Sequence, residues 1–330
     1  MDILYIVEQG CQLVLSGEQL RILRREEVLN QVPLPLLEGI LVFGITQLST
    51  QAIRACLQRR IPVVYLSRSG FCYGRALPMG WPAASLRTYQ DASSANWRLS
   101  TARQIVQAKV LNGRVLLLRQ ARRNDALDLK LPIESLTYLT RRLNKVETLQ
   151  EVRGLEGAAA AIYFPALGSC LKAPFVFSTR SRRPPTNPVN AMLSFGYQVL
   201  WNHLLLLIEL QGLDPYSGTL HTAHHGNAAL ASDLLEEFRA PVIDSLMVWL
   251  VNTRMVQLER DFEYRDGGCF LNESGRRQFL QAFVHRMSGQ VQVDPVLGAI
   301  PRWHLLTQQV KLYRQSVLNS DHVYQPYRID

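Results

Sequence analysis

The first 77 residues are written in short runs whose apolar positions either alternate or fall consecutively. The stretches "ILYIVEQG", "CQLVLSGEQLRILRREEVLNQVPL", "GILVFG" and "IPVVYLSRSGFCYGRA" are bounded by Gly, Pro, Ser and Glu, the punctuation of strands and turns. One helical pattern, "STQAIRACLQRR", interrupts them, with Ser49 or Thr50 placed to cap it. This pattern predicts a small β-rich domain over 1–77. The segment "LPMGWPAASLRTYQDASSANW" has Pro and Gly near its start and Ala and Ser near its end, and reads as a linker over 78–97. Beyond it apolar residues recur at three and four positions, as in "WRLSTARQIVQAKVLNGRVLLLRQARR", "PVNAMLSFGYQVLWNHLLLLIELQG" and "ALASDLLEEFRAPVIDSLMVWLVNTRMV". Residues 98–330 are therefore expected to form a larger all-α domain, making the chain α+β. Within it "YRDGGCFLN" sets Asp-Gly-Gly between aromatics, the signal of a hairpin or turn near 264–272.

Composition narrows the class. The chain has 330 residues, 47% hydrophobic and 19% charged, which suits a packed protein and argues against disorder. No apolar run approaches the eighteen or so residues of a membrane span, the longest being of the kind "VIDSLMVWLV", so no membrane association is expected. The opening "MDILYIVEQG" lacks a basic n-region and a small-residue cleavage site, which argues against secretion. Cys11, Cys56, Cys72, Cys170 and Cys269 are odd in number and scattered, and read as reduced thiols of a cytoplasmic protein. The net charge of +9 is uneven: Lys and Arg outnumber Asp and Glu nine to seven over 1–97 and sixteen to six over 98–190, and fall short eleven to fourteen over 191–330. Arginine supplies 31 of the 36 cations, and its planar fork matches phosphate, so a polyanion such as nucleic acid is the expected partner of the middle segment. An Arg-rich composition of purely genomic origin would look the same.

Three stretches carry candidate chemistry. In "LHTAHHGNAALASDLLEEF" three histidines precede Asp233, Glu236 and Glu237, and a helix starting near Ala231 or Ser232 sets Asp233 and Glu236 on one face. One imidazole with hard carboxylate oxygens suits Mn²⁺ or Mg²⁺ better than structural Zn²⁺. The same acids also fit a helix N-terminus stabilised by its dipole, with no metal. In "VRGLEGAAAAIYFPAL" the lone acid Glu156 lies among glycines and alanines, where another helix could approach closely and an unpaired acid would be costly; a solvated Glu156 fits equally. In "FSTRSRRPPTNPVNAMLSFGY" Arg180, Arg182 and Arg183 precede a rigid Pro-Pro segment and a helix beginning near Val189, an arrangement that attracts phosphate but also describes a solvated charge run.

Taken in order, "RGLEGAAAAIYF", "RSRRPPTNPVNAMLSFGY", "GLDPYSGTLHTAHHG" and "SDLLEEFRAPVID" resemble the CRISPR-associated integrase family, the spacer-acquisition endonucleases, and the N-terminal runs resemble that family's β domain. The resemblance covers essentially the whole chain. It implies metal ligation by Glu156, His221 and Glu236, with Asp233 as a nearby assisting acid, and Mn²⁺ or Mg²⁺ as the cation. His224 and His225 receive no role. It further implies DNA binding by Arg180, Arg182 and Arg183, a homodimer joined through the β domains, and a small CRISPR-associated adaptation partner. The activity implied is insertion of short DNA fragments into a repeat array, with nuclease activity from the same site. The sequence departs from the family at Asn187, where "PPxDP" is usual, and in "NAALAS" before Asp233, where a Ser-Leu start is common. Two other expectations compete: a non-catalytic DNA-binding scaffold, and a zinc hydrolase built on His221, His224 and a carboxylate.

Overall fold

The computed structural model describes residues 3–68, 70–80, 84–222, 228–294, 298–319 and 322–329. Its N-terminal part contains β1 (Ile3–Ile6), β2 (Gln12–Ser16), β3 (Gln19–Arg24), β4 (Glu27–Pro33), β5 (Gly39–Phe43), β6 (Gln47–Leu48), α1 (Thr50–Gln58), β7 (Val63–Leu66) and β8 (Cys72–Ala76). They make two four-stranded sheets, β1-β5-β7-β8 and β4-β3-β2-β6. "GILVF" is β5, buried along its whole length between parallel neighbours β1 and β7, which explains its unbroken apolar run. The pleat of β5 divides its side chains: Ile40 and Val42 join a small core with Leu13, Leu20, Ile22 and Cys56, while Leu41 and Phe43 join the main helical core. Helix α1 starts where expected, with the Ser49 hydroxyl accepting from the Ala52 N–H at 3.2 Å.

Helices dominate thereafter: α2 (Arg87–Asp91), α3 (Ala95–Ala121), α4 (Lys130–Leu143), α5 (Leu149–Ser169), α6 (Pro188–Leu210), α7 (Ala229–Leu235), α8 (Ser245–Asn252) and α9 (Leu258–Asp261). After them come β9 (Phe262–Arg265), β10 (Gly268–Leu271), α10 (Glu273–Ser288), β11 (Gln290–Asp294), β12 (Gly298–Pro301) and α11 (Arg302–Leu318). The segment expected as a linker holds α2 and the first turn of α3, because Ser94 caps α3 by accepting from the Trp97 N–H at 3.1 Å. The region beyond it is helical but not all-α. The β9–β10 hairpin was signalled by Asp-Gly-Gly; the β11–β12 ladder was not.

Helix α6, capped by Asn187 with Pro188 at its first position, is long and apolar enough to cross a membrane, contrary to the sequence expectation of no such run. It is 83% buried over its most apolar window and forms the centre of the core instead. The helical pattern over 229–252 is also broken. A 3₁₀ turn (Glu236–Phe238) and a π-helical turn (Arg239–Asp244) separate α7 from α8. Pro241 has no N–H for the carbonyl of Glu237, and the buried Asn112 donates to that carbonyl at 2.7 Å in its place.

Candidate active site

Four segments meet beside the π-helical turn. Helix α3 supplies Lys109, α5 supplies Glu156, the loop after α6 supplies His221, and α7 with its continuation supplies Asp233, Glu236 and Arg239. Asp233 is fully buried and organises the loop. One carboxylate oxygen accepts from the N–H groups of Thr219 at 2.6 Å and Leu220 at 3.0 Å; the other takes the His221 N–H at 2.9 Å and meets His221 Nδ1 at 2.7 Å. With Nδ1 donating to Asp233, the lone pair of the imidazole is on Nε2, which lies 4.0 Å from Glu236 Oε1. Gly218 is required for this loop, since a Cβ there would lie 2.8 Å from Ala229 Cβ and 2.9 Å from the His221 carbonyl.

Two cations hold the carboxylates. Arg239 pairs with Glu236 at 2.9 Å, and the Lys109 ammonium lies between Glu236, at 2.8 Å, and Glu156, which it also contacts. Burial by itself would raise the Glu236 carboxyl, but Arg239, Lys109 and His221 outweigh it and hold it down to about 2. For His221 burial favours the neutral ring, yet the hydrogen bond to Asp233 and the negative charges of Asp233, Glu236 and Glu156 raise its pKa above the ordinary value. Beneath the cluster Arg239 stacks over the Tyr197 ring at 4.5 Å, and the hydroxyls of Tyr197 and Tyr163 donate to buried Asp244 at 2.5 and 2.7 Å.

The sequence-derived set of Glu156, His221, Asp233 and Glu236 is thus assembled in one place, while His224 and His225 lie outside the described residues. The donors fit a hard divalent cation: two carboxylates, and one imidazole nitrogen held in a fixed tautomer by Asp233. Among the described residues no three His, Cys, Asp or Glu side chains already close around a metal, because the Lys109 ammonium stands between the two glutamates. Among the described residues the expected helix contact over Gly154 and Gly157 is absent: a Cβ at either would meet none of their atoms within 4 Å, and Ala158 and Ala161 are exposed as well. None of the described residues covers the face beside Glu156.

Lys109, Arg239, Tyr197 and Asp244 were not read from the sequence. Arg239 could have been, being three residues from Glu236 on a helical pattern; Lys109 comes from a helix 47 residues before Glu156 and had no signal. The three arginines of the 178–187 loop divide. Arg182 and Arg183 are exposed, whereas Arg180 turns inward, donating to Asn190 and Ser194 at 2.8 Å each, and burial lowers its pKa to about 10.

The profile of the family described as "CRISPR associated protein Cas1" matches residues 4–285. A CRISPR-associated endonuclease Cas1 of Thermus thermophilus is 32% identical over all of this chain and 98% of its own length. Among solved structures, a casposase bound to integration product superimposes with a TM-score of 0.84 at 22% identity, covering 100% of this chain and 96% of that one. A chain of a Cas6-RT-Cas1–Cas2 complex gives 0.84 at 21% identity, with 99% of this chain matched to 36% of that much longer one. Full-length identity to a curated relative, a family match over most of the sequence and the four ordered motifs agree, and this chain belongs to the Cas1 family of CRISPR-associated proteins.

Proposed function

We propose that this protein is a metal-dependent DNA integrase and endonuclease that inserts short DNA fragments into a CRISPR repeat array. The 3′-hydroxyl of the fragment attacks a repeat phosphodiester, forming the new O–P bond as the old one breaks; water in place of the hydroxyl gives hydrolysis. The observation that carries the reading is the convergence of Glu156, His221 and Glu236, with Asp233 fixing the imidazole behind them. Family membership and the likeness to a casposase on its integration product support it.

Glu156, His221 and Glu236 would hold Mn²⁺ or Mg²⁺, which supplies charge neutralisation at the phosphorane-like transition state and polarises the attacked phosphate. The protein's own contribution is orientation. Asp233 aims His221 Nε2 at the glutamates, and Arg239 keeps Glu236 ionised and in place. Lys109 neutralises the two glutamates and must release them to a competing cation. The exposed small-residue face of α5 gives a phosphate access to Glu156. Exposed Arg182 and Arg183 would hold the DNA backbone without reading sequence. The reading includes a homodimer through residues 1–77, a small adaptation partner of the kind present in Cas1–Cas2 complexes, and a cytoplasmic location.

One observation favours the scaffold alternative: Lys109 already neutralises both glutamates without a metal. The two readings separate in an assay joining a 3′-hydroxyl fragment to a supercoiled repeat plasmid with the partner present. Glu156→Ala, His221→Ala and Glu236→Ala should each abolish Mn²⁺- or Mg²⁺-dependent joining and leave DNA affinity within a few-fold. His224→Ala and His225→Ala should remain active. Joining unaffected by all three ligand substitutions would establish the scaffold in place of the enzyme.

A further inference from the structure

A second basic site stands apart from the catalytic carboxylates. A cavity of about 280 Å³ opens between the β7–β8 turn, the 178–187 loop, helix α6 and the β9–β10 hairpin. Five arginines from four separate stretches of chain line it: Arg68, Arg182, Arg183, Arg265 and Arg276, with no Asp or Glu among the described lining residues. Arg276 is only 3% exposed. Its Nη1 donates to the Leu271 carbonyl at 2.6 Å, its Nε has no hydrogen-bond partner, and no carboxylate among the described residues lies within ion-pair distance of it. A buried guanidinium facing other guanidinium groups is costly unless an anion joins them. Burial, with Arg68 and Arg265 contributing against the pull of Glu263 and Glu273, lowers its pKa.

The walls of the cavity are aromatic as well as basic. Phe71, 57% exposed, stands at its mouth, and Arg265 lies over the ring of Phe270 at 4.7 Å. Guanidinium forks suit phosphate, and an exposed ring offers a stacking surface to any base. The volume lies just below the usual span of ligand pockets, about 300 to 1,000 Å³, so it has room for no more than one nucleotide and not for a duplex.

A short side-chain path joins the cavity to the carboxylate cluster. Ser194, on the cavity wall, accepts from Arg180, which lies 5.7 Å above the Tyr197 ring; Arg239 covers the same ring and pairs with Glu236. We propose that this cavity is a single-strand nucleotide subsite, where the arginines take one backbone phosphate and Phe71 stacks the base of one unpaired nucleotide of the strand. The assignment rests on the reading of the chain as a DNA-joining enzyme and adds to it a place where the strand is held unpaired.

The test uses the intact protein in EDTA with single-stranded oligonucleotides that carry 2-aminopurine at successive positions from the 3′ end. Quenching should be confined to one or two adjacent positions. Phe71→Ala and Arg265→Ala, both at exposed residues so that melting curves should be unchanged, should remove that quenching and weaken single-strand binding about 5- to 100-fold. The corresponding duplex should lose less than about two-fold, since a duplex is too wide to enter the cavity and to stack a base on Phe71. If both variants bind and quench like the parent, the DNA reading survives and the subsite falls; if the parent binds no DNA, both fall. A mononucleotide such as dAMP that competes as well as the strand does would make the site one for free nucleotides and overturn the strand assignment. Variants that bind DNA normally but lose the adaptation partner would give the cavity to an acidic protein surface, and would overturn it too.

Discussion

Replacing Asp233 by Asn removes one charge and changes almost no volume, so its effect can be worked out bond by bond. The carboxylate accepts from three backbone N–H groups and the Thr219 hydroxyl, and meets His221 Nδ1, all within 3.2 Å. An asparagine that keeps its oxygen toward Thr219 and Leu220 turns its amide nitrogen toward His221. The His221 backbone N–H then faces another donor, and the ring can bond only by accepting at Nδ1, which moves its proton to Nε2 and removes the lone pair from the side of Glu236. Loss of charge-assisted bonds costs about 1.5–3 kcal/mol, and a buried N–H left unsatisfied about 1–3 kcal/mol more. Asp233→Asn should therefore destabilise the fold by about 3–5 kcal/mol, which lowers the melting midpoint on the order of 2 °C per kcal/mol. Mn²⁺ affinity should fall about 10- to 100-fold, as expected when the partner that orients a ligand is altered. Calorimetric Mn²⁺ titration, a thermal melt and the ¹⁵N shifts of His221 read the three consequences separately. A variant that melts within a degree of the parent, keeps its Nδ1–H tautomer and binds Mn²⁺ equally would refute the role given to Asp233.

Glu237 tests the buried acid beneath the tail. Burial raises its pKa from the ordinary 4.5 to about 8, against the hydrogen bonds from the Tyr324 hydroxyl and the Tyr327 N–H. An acid raised in the fold binds its proton more tightly there than in the unfolded chain, so stability should be greatest below about 4.5 and decline as pH rises toward 8. Glu237→Gln can donate to Tyr324, which passes its own proton to Gln309, so the variant should fold and show a flatter stability profile in urea melts from pH 5 to 8; an unchanged slope would contradict the assignment. For the exposed pair of arginines, Arg182→Glu with Arg183→Glu should reduce the slope of log affinity for DNA against log salt by about 1–2, and an unaltered slope would remove the loop from the DNA path. The apolar residues Leu36 and Ile45, 58% and 65% exposed in the N-terminal part, should lie in the dimer contact. Leu36→Glu with Ile45→Glu should yield a monomer by light scattering, and a persisting dimer would place the contact elsewhere.

Local pattern determined much of this protein. The strand runs of the N-terminal part, the Ser49 cap, the Asn187-Pro188 start of α6 and the β9–β10 turn each depend on residues within a few positions of one another, so they could be read directly. The metal-ligand candidates were legible because four motifs stood in a recognisable order, and the histidine and two of the acids lie within one short stretch. Other features depend on partners distant in sequence. Pro241 signals a break in a helix, but only the packing of α3 brings Asn112 to the carbonyl it leaves unbonded, and so turns the break into a π-helical turn that presents Arg239 to Glu236. Gly154 and Gly157 suggested a close helix contact, and among the described residues tertiary packing brings no element over that face. Lys109 looked like any helical lysine, and Arg68, Arg182, Arg265 and Arg276 like separate surface charges. Their roles come from the juxtaposition of helices and loops distant in sequence, 47 residues for Lys109 and Glu156, which no periodicity along the chain records because apolar burial, not charge, set the fold that brought them together.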